Sequence, residues 1–160
     1  MKFVLSLLVL GLQSFFVSSQ SVGETFTLYE VGNKVLYISN QQLSWYDALE
    51  SCRRHNLTIA SIESAEEDTI ARGGCAALFT DPARLVSRTD WLAIGGYRFK
   101  DAKFRWMADG TVVNYNNYDV NQPDNWKDIE YCILLNCYHG KWNDGYCGTA
   151  FYYACQRKTN

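Results

Sequence analysis

Six cysteines in a chain of 160 residues constrain its possible folds more than any other feature. An even count in so short a chain reads as a disulfide framework, provided the compartment is oxidising. The N-terminus supplies that condition. Lys2 precedes a short apolar run through Leu10, and Gln13 and Ser14 interrupt it before it could span a bilayer. Val17-Ser18-Ser19 offers the small residues of a signal-peptidase site. Residues 1–19 therefore read as a signal peptide cleaved before Gln20, 20–25 as a lead-in, 26–157 as one domain and 158–160 as a tail. No later segment has the roughly 18–20 apolar residues of a membrane helix. The expected product is secreted, extracellular and not inserted in a membrane. The cysteines can pair in many ways, and their spacing alone does not choose among them.

Charge narrows the function classes. Fifteen basic and 17 acidic side chains give a formal net charge of −2, which makes no electrostatic case for nucleic acid. The patterning predicts an α+β domain. Phe26 to Val31 and Lys34 to Ile38 read as strands joined at Gly32-Asn33. Ser44 with Asp47 forms a capping box, and Trp45, Ala48, Leu49 and Cys52 repeat as the stripe of a core-facing helix. Ser64 to Glu67 caps a second helix, expected to stop at Gly73-Gly74. From Trp91 onward short aromatic and β-branched runs alternate with Gly, Asn and Asp, with a turn at Asp109-Gly110. The last third predicts strands over Tyr131 to Leu135, Lys141 to Asn143 and Phe151 to Cys155, giving two helices on a loop-rich antiparallel sheet.

Between residues 122 and 144 lie Gln122, Asp124, Glu130, Asn143 and Asp144. Three carboxylates and two amides suit a hard cation such as Ca2+, which takes about 6–8 oxygen ligands. Zinc fits poorly, because its sites want imidazole or thiolate and the histidines are only His55 and His139. Asp and Asn are also ordinary turn residues, so composition alone leaves both readings open. No catalytic residues emerge: His55 and His139 read as surface or strand-end residues, and oxidised cysteines are not nucleophiles.

The order of motifs adds more. Gln122-Pro123-Asp124, Glu130-Tyr131-Cys132 and Trp142-Asn143-Asp144, with Cys147 and Cys155, resemble the carbohydrate-recognition domain of C-type lectins. Trp91 to Gly96 looks like that family's central tryptophan-led motif, and the resemblance runs from about Phe26 to Arg157. It looks most like the short secreted galactose-type lectins of insects. The resemblance implies a calcium site at Gln122, Asp124, Glu130, Asn143 and Asp144, with a cis peptide bond before Pro123. It implies sugar binding by the same five residues, two adjacent hydroxyls meeting the ion and its ligands together. Gln-Pro-Asp is the arrangement the family associates with galactose and N-acetylgalactosamine; Glu-Pro-Asn goes with mannose. Trp126 could lie against the apolar face of galactose, its alternative being a place in the core with Trp45, Trp91, Trp106 and Trp142.

Two departures accompany the match. The family's auxiliary calcium site uses acidic residues where Asn125 and Tyr131 stand here, so that second site is expected to be absent or weak. Only Lys127-Asp128-Ile129 separates Trp126 from Glu130, so the glycine-rich brace of galactose-binding relatives is missing. The resemblance also implies the bridges Cys52–Cys155 and Cys132–Cys147, each stabilising by roughly 3–5 kcal/mol in the chain-entropy model. Cys75 and Cys137 are left to pair with each other or with another subunit, and the segment Gly73 to Arg84 matches the family least. Asn56-Leu57-Thr58 is a glycosylation sequon in the loop after the first helix. The implied function is calcium-dependent binding of galactose-type glycans on microbial or host glycoproteins, in innate immune recognition or agglutination, with oligomerisation raising avidity. The alternative is a protein-interaction module whose sugar site is vestigial.

Overall fold

A computed structural model describes residues 26–79 and 90–157. The expected signal peptide, lead-in and tail, and Pro82, lie outside these residues. Strands β1 (Phe26–Val31) and β2 (Lys34–Ser39) form a hairpin around Gly32, whose φ of 55° sits in the left-handed region open to glycine. Helix α1 (Trp45–Arg54) starts at Ser44, whose hydroxyl accepts the Asp47 N–H. Its buried face carries Trp45, Ala48, Ser51 and Cys52, and the Trp45 indole donates to the Ile94 carbonyl at 2.9 Å.

Strand β3 (Leu57–Ile59) follows directly and pairs with β8 (Tyr152–Arg157). The expected loop after α1 is therefore confined to His55 and Asn56. Asn56 is exposed at φ 58°, while Thr58 of the same sequon is buried in β3. Helix α2 (Ala65–Ala76) is capped by Ser64 but runs through Gly73-Gly74 instead of stopping there. A side chain at position 74 would collide with Ile38 and Tyr29, so Gly74 lets α2 lie close on the hairpin. Tertiary packing outweighs the helix-breaking tendency of two glycines, which costs only about 1 kcal/mol each.

Strands β4 (Trp91–Arg98), β5 (Phe104–Trp106), β6 (Cys132–Asn136) and β7 (Trp142–Gly145) complete the sheet. The order is β1-β2-β8-β4-β6-β7, with β3 on β8 and β5 on β4. All pairings but one are antiparallel; β4 and β8 run parallel at Leu92↔Tyr152 and Ala93↔Tyr153, so the sheet is mixed. Two clusters of buried side chains flank it. One gathers Leu36, Ile62, Ile94, Trp106 and Trp142; the other gathers Trp45, Ala48, Ile59 and Tyr153. Trp91 is only half-buried, against the second cluster.

Disulfides join Cys52 to Cys155, Cys75 to Cys137 and Cys132 to Cys147, leaving no free cysteine. The first ties α1 to β8, the second ties α2 to the end of β6, and the third ties β6 to the segment after β7.

The register between β4 and β6 shifts between Ala93 and Tyr97, at the Gly95-Gly96 pair. Gly95 donates its N–H to the Ala60 carbonyl at 2.7 Å, and a β-carbon there would lie 2.9 Å from that oxygen and 3.0 Å from the Ile59 carbonyl. Backbone cannot retreat as a side-chain tip can. Gly95→Ala is expected to destabilise the domain by about 1–3 kcal/mol, the usual range for overpacking. Denaturant unfolding checks this; an unchanged midpoint would show that the strand can bulge outward freely.

Candidate metal-binding site

The long segment between β5 and β6 carries the predicted ligands, and its backbone is unusual. The Gln122–Pro123 peptide is cis. Asn121, Asn125, Lys127 and Asp128 have φ of 66°, 47°, 55° and 59°. Asn and Asp enter this left-handed region more readily than other side chains, so three of the four positions suit their residues. A tight 3-10 turn at Trp126–Asp128 brings Glu130 back toward Asp124.

Side chains hold the loop in this path. Asp144, on β7, is buried, and its two carboxylate oxygens accept the N–H groups of Asp124 at 3.0 Å and Asn125 at 2.9 Å. Glu130 Oε2 accepts the Trp126 N–H at 3.0 Å. The Asn125 amide binds on both sides: its oxygen accepts the Glu130 N–H at 3.2 Å and its nitrogen donates to Asp128 at 2.9 Å. Gln122 Oε1 accepts the Asp124 N–H at 3.2 Å.

The result is a convergence of acids. One carboxylate oxygen from each of Asp124, Glu130 and Asp144 lies within 4.8 Å of the other two. Burial is the main reason the carboxyls of Glu130 and Asp144 are pushed above the ordinary carboxylate range. Loop N–H groups oppose that shift, and the neighbouring negative charges add to it. A divalent cation would relieve this repulsion, and each oxygen keeps a lone pair beside its N–H bond. Asn143, beside Asp144 on β7, has a buried side-chain oxygen with no hydrogen-bond partner. Such an atom costs about 1–3 kcal/mol unless something accepts its lone pairs. Three carboxylates, an orphaned amide oxygen and the Gln122 amide fit a hard, oxygen-seeking cation, with no thiol or imidazole in the set.

Trp126 stands outside the acidic cluster and is 56% exposed, so it is not a core residue. The Lys127 ammonium lies 4.0 Å from its ring centroid and covers one face. His55 bonds the Ser51 carbonyl through Nδ1, and His139 is an exposed turn residue whose Nε2 lies 3.9 Å from Asp119 Oδ2. Three contributors had no sequence signal. Asn125 links both arms of the loop. Tyr118 packs on Trp142 with its hydroxyl buried and unpartnered, and burial, then the Asp144 charge, pushes that phenol well above its usual range. Asp68 on α2 accepts from the Trp142 indole and from the Asn117 amide, both at 2.6 Å, and so supports β7 from behind.

Comparison with known proteins agrees with this geometry. The family described as "Lectin C-type domain" matches residues 41–157. Asialoglycoprotein receptor 2 of Rattus norvegicus is 29% identical over 151 residues, covering 91% of this chain and 46% of the receptor, so the chain spans less than half of that relative's length. C-type lectin TsL of Trimeresurus stejnegeri is 41% identical over 126 residues, covering 76% of this chain and 75% of the lectin. The mouse scavenger receptor C-type lectin carbohydrate-recognition domain superposes with a TM-score of 0.67 at 25% identity, covering 83% of this chain and 96% of that domain. The family model covers well over half of the sequence, so the chain belongs to the C-type lectin family, a family of binding domains and not of enzymes.

Proposed function

We propose that this chain is a secreted, calcium-dependent lectin for terminal galactose or N-acetylgalactosamine, acting in innate recognition or agglutination. The observation that carries the reading is the convergence of Asp124, Glu130 and Asp144; the buried, unpartnered oxygen of Asn143, the residue before Asp144, adds to it. Gln122 completes the set from the other side of the cis bond. Calcium bound there supplies a Lewis-acidic centre for sugar hydroxyl oxygens. The protein's part is to pair each hydroxyl with a donor or an acceptor. Gln122 Oε1 already takes the Asp124 N–H, which turns the amide nitrogen into its donor edge. Asp124 and Glu130, ionised, can only accept. The order of amide and carboxylate along Gln122-Pro123-Asp124 therefore favours one arrangement of adjacent hydroxyls over its mirror order.

Trp126 supports the galactose reading. An exposed indole two residues past Asp124 can cover the apolar face of a pyranose, and Lys127 occupies the ring's opposite side in place of a glycine-rich brace. The similarity to a receptor named for asialoglycoproteins points the same way. Secretion is supported by the N-terminal apolar run and by three disulfides. No helix among the described residues is long and apolar enough to cross a membrane. A single sugar site of this kind would bind weakly, and useful avidity would come from several copies on one glycan surface.

In calcium, the protein is expected to stay on immobilised galactose, to pass through mannose, and to elute when chelator is added. Retention on neither resin would favour the protein-interaction reading instead. The double variant Gln122→Glu with Asp124→Asn exchanges the donor and acceptor positions and should move preference toward mannose, read on the same two columns. An unchanged preference would mean that the order around Pro123 does not select the sugar.

Acid should release the sugar. Protonating a ligand oxygen removes both its charge and its coordinating lone pair, so binding weakens as pH falls. Because Glu130 and Asp144 hold protons more readily than free carboxylates, protons compete with calcium for these oxygens at a higher pH than they would at unshifted ligands. Stepwise elution from a galactose column checks this. Full retention at about pH 4 would contradict protonation-linked release.

A further inference from the structure

On the other side of the ligand loop lies a cleft of about 630 Å3 that contains none of the five proposed calcium ligands. Its size falls within the range of about 300–1,000 Å3 common for small-molecule sites. Asn125 is the shared wall: its N–H holds Asp144, while its side chain faces the cleft beside Tyr131. The remaining walls come from the end of β4 and the turn after it.

Two kinds of side chain dominate there. Tyr97 and Tyr131 stack with centroids 6.2 Å apart and planes 24° apart, and Phe99 meets Tyr97 edge-on at 5.6 Å. Phe99 is 41% exposed. Arg98 and Lys100 supply the charge, and neither forms an ion pair among the described residues. Asp128 is the one carboxylate in the lining, and it already accepts the Asn125 amide. The cleft thus has two cations against one acid, so a metal ion is a poor occupant. The exposed Phe99 ring offers apolar surface to a sugar, with the Arg105 guanidinium 5.3 Å from its centroid, while the Tyr131 hydroxyl already donates to the Asp128 carbonyl at 2.9 Å. Arg and Lys suit a sulfate or carboxylate, which they bind by charge-assisted hydrogen bonds.

We propose that this cleft is a second, metal-independent saccharide subsite that takes a sugar unit bearing an anionic sulfate or carboxylate group. The proposal does not rest on the calcium site. A glycan presenting galactose at one side of the loop and an acidic sugar at the other would engage two sites on one domain, with the gain that linked binding brings.

The test uses the full secreted chain in chelator, which silences the metal site. Titration calorimetry would compare a sulfated heparin disaccharide, an unsulfated uronate disaccharide from hyaluronan, neutral chitobiose and inorganic sulfate. Both charged disaccharides, or the sulfated one alone, should bind about tenfold or more tighter than chitobiose. Arg98→Gln and Lys100→Gln should each weaken that binding by about tenfold, and raising the salt to about 0.5 M should weaken it further. Phe99→Ala should weaken the disaccharides and leave inorganic sulfate unaffected. All three variants should melt like the wild type and keep calcium-dependent retention on galactose. No binding of either charged disaccharide would overturn the proposal, as would unchanged affinity in both Gln variants, or inorganic sulfate binding as well as the disaccharides. A chain that takes the charged disaccharides yet ignores galactose in calcium supports the cleft and removes the metal-site reading.

Discussion

Two backbone N–H groups, from Asp124 and Asn125, end on the carboxylate of Asp144, and through them the long loop becomes part of the fold. Asp144 is buried, and a buried carboxylate without partners would be expensive. The loop supplies those partners, and in doing so it brings Asp124 and Glu130 into the same small volume. One requirement, satisfying a buried charge, therefore sets both the path of the loop and the acidity of the site. A cation would complete what the two N–H groups begin.

Asp144 can anchor the loop only because β7 is itself held. Trp142, two residues earlier, is fully buried, and its indole N–H ends on Asp68 of α2. Asn117 bonds both Asp68 and the Gly140 carbonyl, and the segment from Asn117 to Asp119 exchanges backbone hydrogen bonds with Trp142. Burial pushes the Asp68 carboxyl up, and the Trp142 and Asn117 bonds pull it back. A side chain on the second helix thus supports β7, the strand that carries Asp144, through a continuous set of contacts. The Cys132–Cys147 bridge closes the same region covalently, across the β6–β7 pair.

Much of this was legible in the residues. Ser44 and Ser64 announced both helix starts, because a capping hydroxyl acts locally on N–H groups three residues away. Alternating and helical periodicities placed β1, β2 and α1 nearly to the residue. Asp124, Glu130 and Asp144, which the structure brings within reach of one another, stood out because carboxylates and amides cluster there in sequence. The misreadings share one cause. Gly73-Gly74 looked like a stop, yet α2 continues because the missing β-carbon at Gly74 makes room for Ile38 and Tyr29. Leu57 and Thr58 of the sequon read as loop, yet they belong to β3 because β8, about 100 positions away, offers a pairing edge. Neither partner can be seen from a local window.

The chain's own order of residues was enough to decide the disulfide-stapled α+β class, the two caps and the supply of carboxylates and amides between residues 122 and 144, since each rests on residue type or on contacts within a few positions. Tertiary structure alone decided the rest. It joined β4 to β8 in parallel, put Trp126 on the surface under the Lys127 ammonium, and left the Asn143 oxygen buried without a partner. It also set Arg98 and Lys100 beside Tyr131 in one cleft. The reason is distance along the chain. Residue identity states which oxygens, rings and charges are available, but only packing between remote segments determines which of them share a volume, which meet water and which are left unpaired.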